Sequence, residues 1–434
     1  MSESDIEPYC FHLYGVSMMA VGIRYILSYK ADALGNRVEI STPMNSWKRA
    51  VEGVSLWKRG INPYDSDIIH ESPFALAVYD YLVTYIPDSI DVLFIACDLL
   101  VSTILSHFAK YYLEEYVKKE QAKKVPKNTE PLLLKYDNIV WVCYLIEVVY
   151  LLNPYSVFSC AGRSTVLFQN LLLAFFLFLT TVGYWLEAGG VLAFLTFHSF
   201  YYCTLLVPLV MYVYQTANDR ARYFEIFFTL GGFVVSIIGL LCGFRRITGS
   251  WRYLESTFGC ILSVPDLTPN IGLFWYFFTE MFEHFRVFFL CIFQLNVFVY
   301  TIPLAVRLRK DPIFLMFVHI IIISIFKSYP CIGEVGFYLA LLTIWSHLLH
   351  FMRQKFIVCC VLASCTLLAP TLWHLWIYSG SANANFYFAI TLAFNTGQVF
   401  LLTDILSAFI KREYYFEKGV KYNEDGSLVL LRLQ

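Results

Sequence analysis

Charge is what this chain has least of. Only 15% of its 434 residues are Asp, Glu, Lys or Arg, where a soluble domain carries about 25%. That deficit, with 58% hydrophobic residues, excludes a soluble globular fold for most of the chain. The net charge of −1 excludes nucleic acid as a partner, which needs a concentrated basic face. Paired cysteine spacing is missing too. The twelve cysteines are scattered, many inside apolar runs (Cys143, Cys242, Cys291, Cys359, Cys360, Cys365). None has zinc-finger spacing, so they read as small membrane hydrophobes, with no metal site and no disulfide. No Asn-x-Ser/Thr sequon marks the topology. The N-terminus lacks a basic segment and a small-residue cleavage site. Its first apolar run, about 9–29, therefore reads as an uncleaved signal anchor. A Walker A loop, a G-x-S-x-G elbow and an H-E-x-x-H pair are all absent. Peptide-bond chemistry needs a polar site with an oxyanion hole, and no luminal domain is evident to build one. No catalytic residue and no cofactor is expected.

What remains is a set of apolar runs separated by short polar breaks. Residues 164–186 and 287–306 are charge-free windows, and 356–403 is a longer one. The last must hold two spans, since one helix crosses a bilayer in about 20 residues. Its break falls at 378–385, YSGSANAN, where small and amide residues make a turn. Lys and Arg mark cytosolic loops. These are 110–136 (Lys118, Lys119, Lys123, Lys124, Lys127), then Arg307 with Arg309 and Lys310, Arg353 with Lys355, and Lys411 with Arg412. The last four spans then run roughly 312–326, 334–352, 356–376 and 386–409. Segments 266–283, 327–334 and 378–385 fall in the lumen, as does the first loop, 30–89. Its tryptophans and turns suit amphipathic helices on the luminal leaflet. The expectation is an all-α, single polytopic membrane domain of about twelve spans, both termini cytosolic.

Four polar constellations stand out. Asp65-Ser66-Asp67, with His70 and Glu71, could supply a base to a sugar hydroxyl or hold a divalent metal in a mannosyltransferase, or simply make a capped turn. In the segment 263–286, Pro265 and Pro269 bracket a turn holding Asp266, and Asn270 directly follows it. Glu280, Glu283 and His284 follow at spacings of three and four, which predicts one helical face. They would wall a luminal cavity, with Arg286 reaching a lipid phosphate, or lock helices together. Trp373, His374, Trp376 and Tyr378 form an interfacial belt beside Asn383 and Asn385. Those amides suit a glycan, or the turn alone. Asn153-Pro154 breaks two apolar runs, as at lipid or ion sites or at a plain hairpin.

Long blocks of this chain resemble the phosphatidylinositol-glycan class U (PIG-U) family, a subunit of the glycosylphosphatidylinositol (GPI) transamidase. They are Ser46-Trp47-Lys48-Arg49, Glu52-Gly53, Pro63-Tyr64, His70-Glu71, Leu151-Leu152-Asn153-Pro154-Tyr155, and the longer 263–285, 322–330 and 372–386. Between about 183 and 251 only the hydropathy is similar. The resemblance implies a fold like the dolichol-sugar-dependent (GT-C type) mannosyltransferases. It implies an endoplasmic reticulum location and a caspase-like partner subunit that carries the thiol nucleophile. It implies a non-catalytic role in holding the GPI lipid for transfer to precursor proteins, with lipid-glycan contact at Asn383 and Asn385. Asp266, Asn270, Glu280, Glu283, His284, Arg286 and His374 would line the cavity. The alternative is a dolichol-phosphate-mannose-dependent mannosyltransferase.

Overall fold

The computed structural model describes residues 3–123 and 126–419. Lys124 of the lysine-rich loop and both chain ends, expected to be cytosolic, lie outside the described residues. Among those described, all regular structure is helical. In lipid only helices and closed barrels satisfy every backbone N–H and C=O, so this is what an apolar chain without alternating strands must form.

The principal helices are α1 (Glu3–Ser28), α2 (Trp47–Lys58), α3 (Pro73–Tyr85), α4 (Ile90–Gln121), α5 (Asp137–Leu152), α6 (Pro154–Ala161), α7 (Val166–Val182) and α8 (Trp185–His198). They continue as α9 (Leu206–Thr216), α10 (Arg222–Thr248), α11 (Phe274–Glu280), α12 (Glu283–Phe298), α13 (Pro312–Phe326), α14 (Ile332–Leu342), α15 (Lys355–Ile377) and α16 (Ala384–Lys418). Several begin at a polar cap followed by proline: Ser72 caps α3, Asn153 caps α6 and Asp311 caps α13. Proline at the first helical position costs no hydrogen bond, because that N–H has no partner in any case.

Among the described residues, six helical stretches are long and apolar enough to cross a bilayer, or seven if the pair at Asn153, bent by 50°, is one broken span. The helices α7 and α13 are apolar but only 17 and 15 residues long. About twelve spans were expected, more than the long helices number. Hydropathy windows merge short and broken helices that length alone does not count as crossings. The final four expected spans coincide with the helices α13, Ile332–His350, α15 and α16, of which the last three are long enough to cross.

At the centre lies α13. Every residue from Pro312 to Ile325 is buried, as expected of a helix that is apolar all round. Glycine lets α8 and α10 meet closely. A Cβ on Gly189 would lie 2.4 Å from the Thr229 carbonyl oxygen, and one on Gly232 2.8 Å from that of Leu186. Small residues at such contacts are what brings helices together in lipid. One buried ion pair ties three helices. Arg24 of α1 meets Asp98 of α4 at 2.5 Å, both wholly buried, while Tyr150 of α5 donates to Asp98 at 2.8 Å.

The loops sort to opposite ends of the bundle. Loops marked by Lys and Arg converge at one end, where Arg412 pairs with Glu120 and Arg307 with Glu413. At the other, Arg49 pairs with Asp266, and the Ile332 N–H donates to the Glu39 carbonyl. The first-loop helices pack inward through Ala50, Val54, Leu76, Tyr79 and Leu82, against Phe197, Phe244 and Tyr253. They leave Phe74, Tyr81 and Tyr85 exposed.

Candidate functional site: a groove beneath a pair of asparagines

An apolar groove of about 250 Å³ opens between α15, α16 and the segment after α1. Cys365, Thr366, Ala369 and Pro370 line it from α15, and Ile390, Thr391 and Phe394 from α16. Leu34, Ile40, Tyr155, Phe158, Ile271 and Ile332 complete the wall. Small-molecule sites span roughly 300–1,000 Å³, so this one suits part of a lipid chain. Pro370 lies within α15. A mid-helix proline removes one backbone hydrogen bond and pushes neighbouring turns apart, which favours an open side here. Two charged groups stand in this apolar wall: Arg37 donates to Glu39 at 3.3 Å.

Beside the groove an aromatic cluster packs Val38 against Trp275 and Tyr387, with Ala369, Trp373 and Trp376 around them. Trp373 and Tyr387 lie 5.1 Å apart, and Trp275 stacks on Trp376 at 6.2 Å. At its edge Asn383 caps α16, its side-chain oxygen accepting from the Asn385 N–H at 3.1 Å. The Asn385 side-chain oxygen accepts from the Tyr276 hydroxyl. The local fold thus engages both amide oxygens. Both residues are exposed, and neither amide NH₂ donates to another described residue. Two NH₂ groups, each with two N–H donors, therefore remain for external acceptors such as phosphate or hydroxyl oxygens. His374 is exposed and stacks on Tyr378.

The polar turn between the prolines is self-contained. Asp266 accepts from Arg49 at 2.7 Å and from the Thr268 N–H at 2.9 Å. Partial burial opposes ionisation, but these bonds and the Arg49 charge hold its carboxyl below the usual range. The Asn270 side chain is buried and accepts from the Gly272 N–H at 2.7 Å. Arg286 donates to the Val264 carbonyl at 2.8 Å, and its guanidinium lies 5.7 Å from the Phe278 ring centre. Val264 has φ +49°, rare for a β-branched residue, so Arg286 braces a strained turn.

One expectation is overturned. Glu280, Glu283 and His284 do not share one helical face. Glu280 ends α11 and Glu283 begins α12, with Met281 and Phe282 extended between them. All three are exposed, and none lines the groove. The spacing rule holds only within a continuous helix, and neither proline nor glycine marks this break. Asp266, Asn270, Arg286 and His374 also stand outside the groove lining, which the turn reaches through Ile271.

In the first loop Asp65 accepts from Asn62 at 3.0 Å and pairs with Arg252 at 3.1 Å. Glu71 points elsewhere. It is buried, accepting from Tyr79 and, at 2.9 Å, from Thr165. Burial pushes its carboxyl up to about 7 despite those bonds. Among the described residues no group of three His, Cys, Asp or Glu could hold a metal. Sequence reading missed Arg37, Glu39 and the Arg24–Asp98 pair. Each residue carried a signal, as an ionisable group next to or within an apolar run, but the pairing did not.

The family model of the GPI transamidase subunit PIG-U matches residues 16–394. The human GPI-anchor transamidase component PIGU is 41% identical over 433 residues, covering 96% of this chain and 98% of its own. The Mus musculus protein of that name is 41% identical over 441 residues, at the same coverage of both chains. The GPI transamidase component GAB1 of Saccharomyces cerevisiae is 29% identical over 387 residues, covering 88% of this chain and 89% of its own.

Proposed function

Because this chain belongs to the PIG-U family of GPI transamidase subunits, we propose that it is the non-catalytic subunit that holds the GPI lipid in the endoplasmic reticulum membrane. The lipid tail lies in the groove between α15 and α16, and the glycan or ethanolamine end meets Asn383 and Asn385. Arg37, in the groove wall, is placed to pair with a lipid phosphate. The nucleophile comes from a caspase-like partner, and a precursor protein is the acyl donor. In this reading the short and broken helices complete about twelve crossings in a GT-C-like arrangement, with both termini cytosolic. The observation that carries it is the pair of unused amide donors beside an apolar groove. The mannosyltransferase alternative draws no such support, since a base must be free to take a proton. Asp65 is bonded to Arg252 and Asn62, and Glu71 is buried against Tyr79 and Thr165.

The test is Asn383→Asp with Asn385→Asp. Each keeps its oxygen, and so the α16 cap and the Tyr276 bond, but loses its donor. Attachment of GPI to a reporter protein should fall about tenfold or more, the worth of one charge-assisted hydrogen bond, in a complex that still assembles. Unchanged attachment would remove the assignment.

A further inference from the structure

A second cavity, about 410 Å³, lies between the Asp65–His70 stretch and the segment after α10. Its walls include Asp65, Asp67, His70, Arg252 and Glu255. The groove reading uses none of them. His70 is only 2% exposed, yet one of its ring nitrogens has no hydrogen-bond partner. Its Nδ1 lies 2.8 Å from the Ser256 carbonyl oxygen. A carbonyl only accepts, so Nδ1 carries the proton and Nε2 is left as an acceptor. Burial lowers the basicity of this imidazole and keeps it neutral. Asp67 and Glu255 are exposed, and their carboxylates make no ion pair or hydrogen bond to other described residues; the Asp67 backbone carbonyl accepts from Arg49 at 3.5 Å. Acceptors therefore dominate the cavity, and its ligand must bring donors. A phosphate is repelled by the carboxylates. An ammonium is opposed by Arg252. Hydroxyl groups satisfy both, donating to the carboxylates and the imidazole and accepting from the guanidinium.

We propose that this cavity binds the hydroxyls of a neutral hexose, as a recognition site without chemistry. Two sources share that chemistry: the glycan of the lipid in the groove, and a glycan carried by a partner subunit. The first rests on the lipid-holding reading and fits the geometry. Pro265 lines this cavity and Ile271 the groove, and the chain between them reaches at most about 21 Å, within the span of a short glycan.

The test is saturation-transfer NMR on the assembled, detergent-purified complex, with a soluble oligomannoside as probe. Transfer to the sugar ring protons is expected. Asp67→Asn combined with Glu255→Gln should weaken the probe about tenfold or more, since two charged acceptors are lost. Both side chains are exposed, so the fold is spared. Glu283→Gln, an exposed carboxylate that lines neither cavity, should leave probe binding unchanged, which ties the loss to this site. Displacement of the probe by intact GPI assigns the site to the lipid glycan. A gain in probe binding after enzymatic removal of partner glycans assigns it to them. Absence of transfer in the native complex, or equal binding by the double variant, overturns the proposal.

Discussion

Arg24 and Asp98 show how much one residue carries when water is excluded. Arg24 also donates to the Leu151 carbonyl at 2.8 Å, so the pair and its hydrogen bonds join α1, α4 and α5. Removing one partner strands the other charge, which costs about 3–5 kcal/mol. Asp98→Ala should therefore deplete the folded protein, measured as the fraction surviving detergent extraction in monodisperse form. Replacing both charges together, Arg24→Met with Asp98→Leu, should recover much of it. Glu71 offers a test by pH. Its carboxyl is raised from 4.5 to about 7, so the folded state holds a proton that the unfolded state releases. Stability is then fully present below about pH 4.5 and declines as pH rises through 7. The thermal midpoint of the purified protein should fall between pH 5 and pH 7.5. Glu71→Gln, always neutral, should flatten that slope, and an unchanged slope would assign the effect to another group.

Helices in this molecule are positioned by what their residues lack as much as by what they carry. Gly189 has no room for a side chain against Thr229, whereas nothing lies within 4 Å of a Cβ on Gly231. Alanine is about 1 kcal/mol better than glycine within a helix. Gly231→Ala should thus be neutral or stabilising, while Gly189→Ala should push α8 from α10 and cost about 1–3 kcal/mol. Thermal midpoints of the two variants check this contrast. The last spans were legible because charged residues punctuate their ends, and so was the Asn383 turn, with its small and amide residues. The pairing of Arg24 with Asp98 was not, since the residues are 74 positions apart and meet only through packing. Glu280 and Glu283 misled for a local reason. Their spacing is helical, but the backbone between them is extended at Phe282 (ψ 134°) and Met281 (ψ 142°).

Across the whole molecule, loops rich in Lys and Arg gather at one end, the groove and the second cavity are joined through one polar turn, and the asparagine pair bonds, through Asn385, to Tyr276 on the helix that follows that turn. Such a division suits a subunit that presents a lipid rather than one that reacts with it. The most direct measurement uses a GPI lipid with a photoreactive group in its acyl chain, added to the assembled complex and irradiated. Mass spectrometry should find the adducts on α15 and α16, around Cys365, Ala369 and Phe394, and Asn383→Asp with Asn385→Asp should reduce them. Adducts confined to partner subunits, with this chain unlabelled, would contradict the lipid-holding role.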